Sequence, residues 1–269
     1  MAISSEAVER VFQQLQEHTP LIHHLTNTVT INDCANVTLA MGGSPVMATQ
    51  LLEVEEMAMM ADGLVINFGT INDAMFAAMI KAGQTANKKG VPVIFDPVGV
   101  GATTYRTNKA KELISTIKVS IIRGNASEVS ALIGKNTKTR GVDAGAIEIA
   151  PEALAKEAAE VLNCLIVISG KEDVITDGKQ LVVIDNGDYL LTKVTGTGCM
   201  TASLVATAAA VSENWFDGAV IGMATMSLAG EIAAKSLHAG EGLGSFRVKL
   251  MDTISTMNAA IWLDGVRQI

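Results

Sequence analysis

The chain has 269 residues, with 20 Lys and Arg against 28 Asp and Glu, a formal net charge of −8. Charged residues are 18% and hydrophobic residues 49%, which excludes a disordered chain and allows a large core without disulfides or metal staples. The acidic balance argues against a general nucleic-acid binder, which needs a basic face for phosphates.

The first 18 residues carry early acids and no apolar run, so they do not read as a secretory signal. Val8, Val11, Phe12 and Leu15 fall on one face of a helix over 5–18, with Ser4 or Ser5 as its cap. His23 and His24 are adjacent and lack the spacing of a helical metal-ligand pair. Residues 32–41 predict a buried helix stopped by Gly42-Gly43. Short runs of Val, Ile, Leu and Phe at 63–70, 91–99, 119–125 and 165–170 predict strands buried on both faces. Helical stretches over 73–88 and 151–162 separate them. Residues 179–185 predict a further strand, in an edge hairpin that begins at Asp173. After Gly196 the pattern is helical to the end.

Mean hydropathy is +0.34, and residues 34–52 and 194–212 carry no formal charge over 19 positions each. Either could span a bilayer by length alone. The first contains Asn36, Gly42, Gly43, Ser44, Pro45 and Gln50, and the second is rich in Ala, Thr, Gly and Ser. Both therefore read as buried helices with close backbone packing, within the chain or inside an oligomer. The Ala-, Gly- and Met-rich segment 218–234 is open to the same two readings. Cys34, Cys164 and Cys199 are too few and too scattered for a disulfide framework, so a reducing cytoplasm is expected.

Strand–helix alternation implies βαβ units and one α/β domain over 1–269, with a mostly parallel sheet. Ligands of such folds bind beyond the carboxyl ends of the strands. Those ends carry DPVGVGAT (96–103), RGNASE (123–128), SGKED (169–173) and TGTGC (195–199). In TGTGCM two glycines let a ligand approach the backbone, and a helix starts after them, so its free N–H groups suit an oxyanion or phosphate. Cys199 in that first turn predicts a lowered thiol pKa, fit to accept a proton or attack. A plain helix start explains the same residues. Asp96 closes a strand before Pro and Gly, where it could hold Mg²⁺ or simply begin a turn. Glu128 follows Asn125 by three, so a capping box competes with a metal role. Arg123 is placed to clamp phosphate oxygens or to form an ordinary ion pair. No GxxxxGK[ST], GxGxxG or GxSxG pattern with its proper context occurs, which leaves a phosphate site of another design or a Cys enzyme.

Five segments taken together carry a resemblance: residues 27–48 (NTVTINDCANVTLAMGGSPVMA), 95–103 (FDPVGVGAT), 123–129 (RGNASEV), 167–175 (VISGKEDVI) and 194–200 (VTGTGCM). In order and spacing the chain resembles the hydroxyethylthiazole kinase family, ribokinase-like enzymes of thiamine salvage, from about residue 20 to the C-terminal helices. The resemblance implies a three-layer α/β/α sandwich. It implies transfer of the γ-phosphoryl of ATP to the hydroxyethyl oxygen of 4-methyl-5-(2-hydroxyethyl)thiazole, with Mg²⁺. It implies a homotrimer with the thiazole bound between subunits. Arg123 and Ser169 match ATP-binding positions. Met47 and Gly196 match substrate positions, and Asn27 sits where a polar thiazole contact is expected. Asp96 and Glu128 match the acidic pair near the metal, and Cys199 occupies the place where most ribokinase-like enzymes carry an Asp base. The loop 134–145 is a candidate to close over nucleotide. The rival readings are a hydroxymethylpyrimidine kinase of the same fold, a Cys-dependent hydrolase using Cys199, and a non-catalytic sensor.

Overall fold

The structure, a computed structural model, describes residues 2–135 and 149–269; residues 136–145 of the candidate closing loop lie outside them. In chain order the elements are α1 (Ser5–His18), β1 (Leu21–Leu25), α2 (Ile31–Ala40), β2 (Ser44–Val46), α3 (Val54–Met60), β3 (Gly63–Asn67), α4 (Asp73–Lys89), β4 (Val93–Asp96), α5 (Thr104–Thr116), β5 (Ile121–Asn125) and α6 (Ala126–Leu132). They continue as α7 (Pro151–Leu162), β6 (Leu165–Ser169), β7 (Asp173–Thr176), β8 (Leu181–Ile184), a 3₁₀ turn (Tyr189–Thr192), α8 (Thr197–Val211), α9 (Trp215–Lys235), α10 (Leu243–Thr256) and α11 (Ala259–Gly265).

The strands form one sheet in the order β2-β1-β3-β4-β5-β6-β7-β8. Pairing is parallel from β2 to β6 and antiparallel from β6 to β8. Short turns join β6, β7 and β8, and short turns permit only antiparallel neighbours. Asp177 shapes the second of them by accepting from the Lys179 and Gln180 N–H groups.

Strand side chains alternate between two helical layers. Ile94 and Ile121 join α1, α2, α8, α9, α10 and α11 on one side. Val93, Phe95 and Ile122 join α3, α4, α5, α6 and α7 on the other. This is the three-layer α/β/α sandwich, and both-face burial explains the unbroken apolar runs of the central strands.

Ser4 caps α1, accepting from the Ala7 N–H at 3.2 Å. The uncharged stretch 194–212 is α8, packed directly on α9. A Cβ at Gly218 or Gly222 would stand 2.6 and 2.5 Å from the Cα atoms of Ala209 and Val205. The segment 218–234 is therefore spent inside the chain rather than between subunits. The stretch 34–52 is not all helix: α2 gives way to the edge strand β2 and a loop. Among the described residues no helix is long and apolar enough to cross a membrane.

Candidate active site

The carboxyl ends of β1, β3, β4, β5 and β6 and the N-terminus of α8 open into one cleft of about 910 Å³. Asn27, Asp96, Arg123, Glu128, Ser169, Gly196 and Cys199 all line it. Met47 does not; it follows the edge strand β2, outside the lining of this chain's own cleft.

Gly196 is the N-cap of α8 with φ +89°, and a Cβ there would stand 2.6 Å from Thr30 Cγ2. Both the left-handed backbone and the close approach demand glycine. A Cβ at Gly198 would stand 2.5 Å from Arg123 Nη1, so that glycine admits the guanidinium to the helix start. Arg123 Nη2 donates to Ser169 Oγ at 2.8 Å, and its buried Nε has no partner. The first-turn N–H groups of α8 have no intrahelical acceptor. Together they make a positive corner suited to phosphate oxygens.

Pro97 ends β4 by withholding a ladder N–H. The following turn brings the Gly99 N–H to Glu128 Oε1 at 2.9 Å. Glu128 Oε2 accepts from the Asn125 N–H and Asn125 Oδ1 from the Glu128 N–H, both at 2.9 Å. The capping box is thus real, and Glu128 lines the cleft as well. Burial raises its carboxyl pKa, opposed by those N–H groups and by Arg123.

Asp96 Oδ2 accepts from Asn67 Nδ2 at 2.7 Å, while its buried Oδ1 has no hydrogen-bond partner. Burial pushes this carboxyl up to about 7; Arg123 pulls it down and Glu128 adds to the rise. Cys199 Sγ accepts from Asn27 Nδ2 and Asn67 Nδ2, each at 3.3 Å. The lowered thiol pKa expected from its place at a helix N-terminus is not found. Burial, and then the Asp96 carboxylate, push it up to about 11. Desolvation beside an anion outweighs the helix dipole.

Sequence reasoning missed three residues that shape this site. Asn67 ends the β3 apolar run as Asp96 ends that of β4, so the same signal was present. Asp173 is buried and accepts from Ser227 Oγ at 2.5 Å and from the Gly170 N–H at 3.0 Å. Arg106 of α5 donates to the carbonyls of Phe68, Gly69 and Val98, tying the loops after β3 and β4 together. No spacing rule reports such a backbone clamp.

The hydroxyethylthiazole kinase family model matches residues 12–260. The chain belongs to the hydroxyethylthiazole kinase family. It is 50% identical over 247 residues to the hydroxyethylthiazole kinase of Exiguobacterium sibiricum, covering 92% of this chain and 95% of that protein. The solved hydroxyethylthiazole kinase of Pyrococcus horikoshii OT3 superposes with a TM-score of 0.86 at 34% identity, over 98% of this chain and 99% of that one. A ribokinase-like superfamily protein from Enterococcus faecalis V583 shares the fold alone, with TM-score 0.64 and 12% identity over 93% and 94% of the two chains. The ribokinase-like sandwich and membership of a kinase family stand on these matches.

Proposed function

We infer that the chain, acting as one domain, transfers the γ-phosphoryl of ATP to the hydroxyethyl oxygen of 4-methyl-5-(2-hydroxyethyl)thiazole in thiamine biosynthesis or salvage. The observation that carries this reading is the corner formed by the α8 N-terminus, Arg123 and Asp96, in a chain matching the family over 12–260. Phosphoryl transfer asks a protein for positioning and charge neutralisation more than for covalent chemistry. First-turn N–H groups of α8 hold the transferring oxygens, and Arg123 with Ser169 holds the nucleotide phosphates. Gly196 and Asn27 bound the side of the cleft assigned to the thiazole.

The residues fit Mg²⁺, a hard cation that takes one or two carboxylates plus phosphate and water. Asp96 Oδ1 is buried and unpartnered. Glu128 has already given each oxygen to an N–H, so it serves as an outer, water-mediated partner. Among the described residues no group of three His, Cys, Asp or Glu stands together as a metal site. When bound, the ion neutralises phosphate charge.

Cys199 takes the place of a base, but a thiol held near 11 is protonated at neutral pH. Its role is to orient the acceptor hydroxyl as phosphoryl transfer proceeds. The same shift disfavours a Cys hydrolase. The buried histidines are engaged elsewhere, His23 with the Ala48 carbonyl and His24 with the Ile22 carbonyl and Ser203 Oγ.

Met47 reaches thiazole from a neighbouring subunit of a homotrimer. Support comes from its place outside the lining of its own cleft and from the exposed apolar residues that follow it in sequence, Leu51 and Leu52. The three unpaired cysteines support a cytoplasmic setting.

The test is product detection by mass spectrometry after incubation with Mg-ATP and, separately, hydroxyethylthiazole, hydroxymethylpyrimidine and ribose. Phosphorylation of the thiazole alone is expected. Modification of another acceptor instead overturns the substrate and keeps the fold. No phosphorylation by folded protein overturns the kinase reading.

A further inference from the structure

Asn67 ends β3 and is 1% exposed. Parallel pairing sets it opposite Asp96, the last residue of β4. Its Oδ1 accepts from the Gly69 N–H at 2.8 Å and from Asn27 Nδ2 at 2.9 Å. A backbone N–H can only donate, so the oxygen must face Gly69 and the amino group must face Asp96 and Cys199. Asn27 is oriented in the same way, because its Oδ1 accepts from the Val29 and Thr30 N–H groups, each at 3.1 Å. The two carboxamides thus run head to tail, and each presents an N–H to Cys199 Sγ.

We propose that Asn67 is a positioning residue for the transfer reaction, setting Asp96 and Cys199 in one geometry through a single carboxamide. This rests on the kinase reading above. Asn67 is not among the residues that line the cleft, so it acts through its neighbours rather than on substrate. Asp96 Oδ1 has no hydrogen-bond partner, so the Asn67 amide at Oδ2 is the contact that orients that carboxylate. Removing Asn67 also strips Sγ of one of its two N–H donors. Misplacement by about 1 Å in such a site costs on the order of 100-fold in rate.

Steady-state kinetics of Asn67→Ala, taken well below its melting transition and normalised to folded protein, tests this. The expected result is a fall in kcat of roughly 10- to 100-fold, with KM for thiazole alcohol and for ATP each within about threefold of wild type. A purely structural role lowers the melting temperature and leaves kcat per folded molecule intact. A kcat within threefold of wild type overturns the proposal, and so does a loss confined to KM. If Asn67→Ala does not fold, Asn67→Ser is read against the same thresholds. A wild-type protein that phosphorylates no thiazole alcohol overturns the kinase reading itself, a different failure from a variant that turns over normally.

Discussion

Cys199 is the residue where local and tertiary physics disagree most. Its sequence position favours a thiolate, while burial and Asp96 hold the proton on sulfur. Phosphoryl transfer with a dissociative transition state asks little of a base early on. Turnover of Cys199→Ser should therefore fall by only roughly 10- to 100-fold, at or below the bottom of the range for losing a general base. Cys199→Asp should retain turnover, because the Asn27 and Asn67 N–H groups suit a carboxylate oxygen. Complete loss of turnover in folded Cys199→Asp would count against any proton-accepting role.

Asp173 offers a second residue-scale check. Burial pushes its carboxyl from 3.8 up to about 6. The folded state then holds a proton that the unfolded state releases across that window. Its carboxylate costs nothing below the unfolded value, and the cost is complete above the folded one. Asp173→Asn removes the charge and keeps the shape. Relative to wild type, the variant should gain on the order of 2–3 kcal/mol between pH 4 and pH 7 without nucleotide. Denaturant unfolding at the two pH values checks this, and an unchanged difference would show that Asp173 is not strained by its burial.

At the scale of elements, the site depends on loops held by backbone contacts. Arg106 joins the loop after β3 to the loop after β4, and the Gly99 N–H joins the latter to Glu128. Arg106→Ala should lower kcat/KM by about 10-fold or more while leaving strand content unchanged by circular dichroism. Arg106→Lys should not rescue it, since an ammonium cannot span three carbonyls as the planar fork does. Equal activity of the Arg and Lys forms would reduce Arg106 to a generic charge.

The strands from β3 to β6 were legible in sequence because each is buried on both faces and reads as a bounded apolar run. β1 was harder, since its LIHHL carries two polar rings that are buried only because Ala48, Ile22 and Ser203 accept or share their hydrogen bonds. β2 has three residues, one of them Pro, and exists because it pairs with β1 at the sheet edge. The short helix α3 and the mostly polar α5 lack a clear apolar stripe, so their existence depends on packing over the sheet.

On the scale of the whole molecule, Leu52 is the most exposed of the described large apolar side chains, at 93%, and lies five residues after Met47. The homotrimer reading predicts sedimentation at three times the chain mass. On the proposal that Met47 is shared between subunits, Leu52→Glu should shift the protein toward monomer and raise KM for the thiazole alcohol more than for ATP. A monomeric wild type with full activity would remove the shared site.

The sequence by itself determined the sandwich, the strand ends that carry chemistry and the family, because buried periodicity and motif order are local properties of the chain. It also named most of the cleft, since β-strand ends in a parallel sheet converge on one edge whatever the loops do. Only the tertiary structure decided that Cys199 keeps its proton, that Glu128 is both cap and cleft wall, and that Met47 lies away from its own site. These depend on desolvation, on neighbours distant in sequence and on which surface is left uncovered, and none of the three is written in residue spacing.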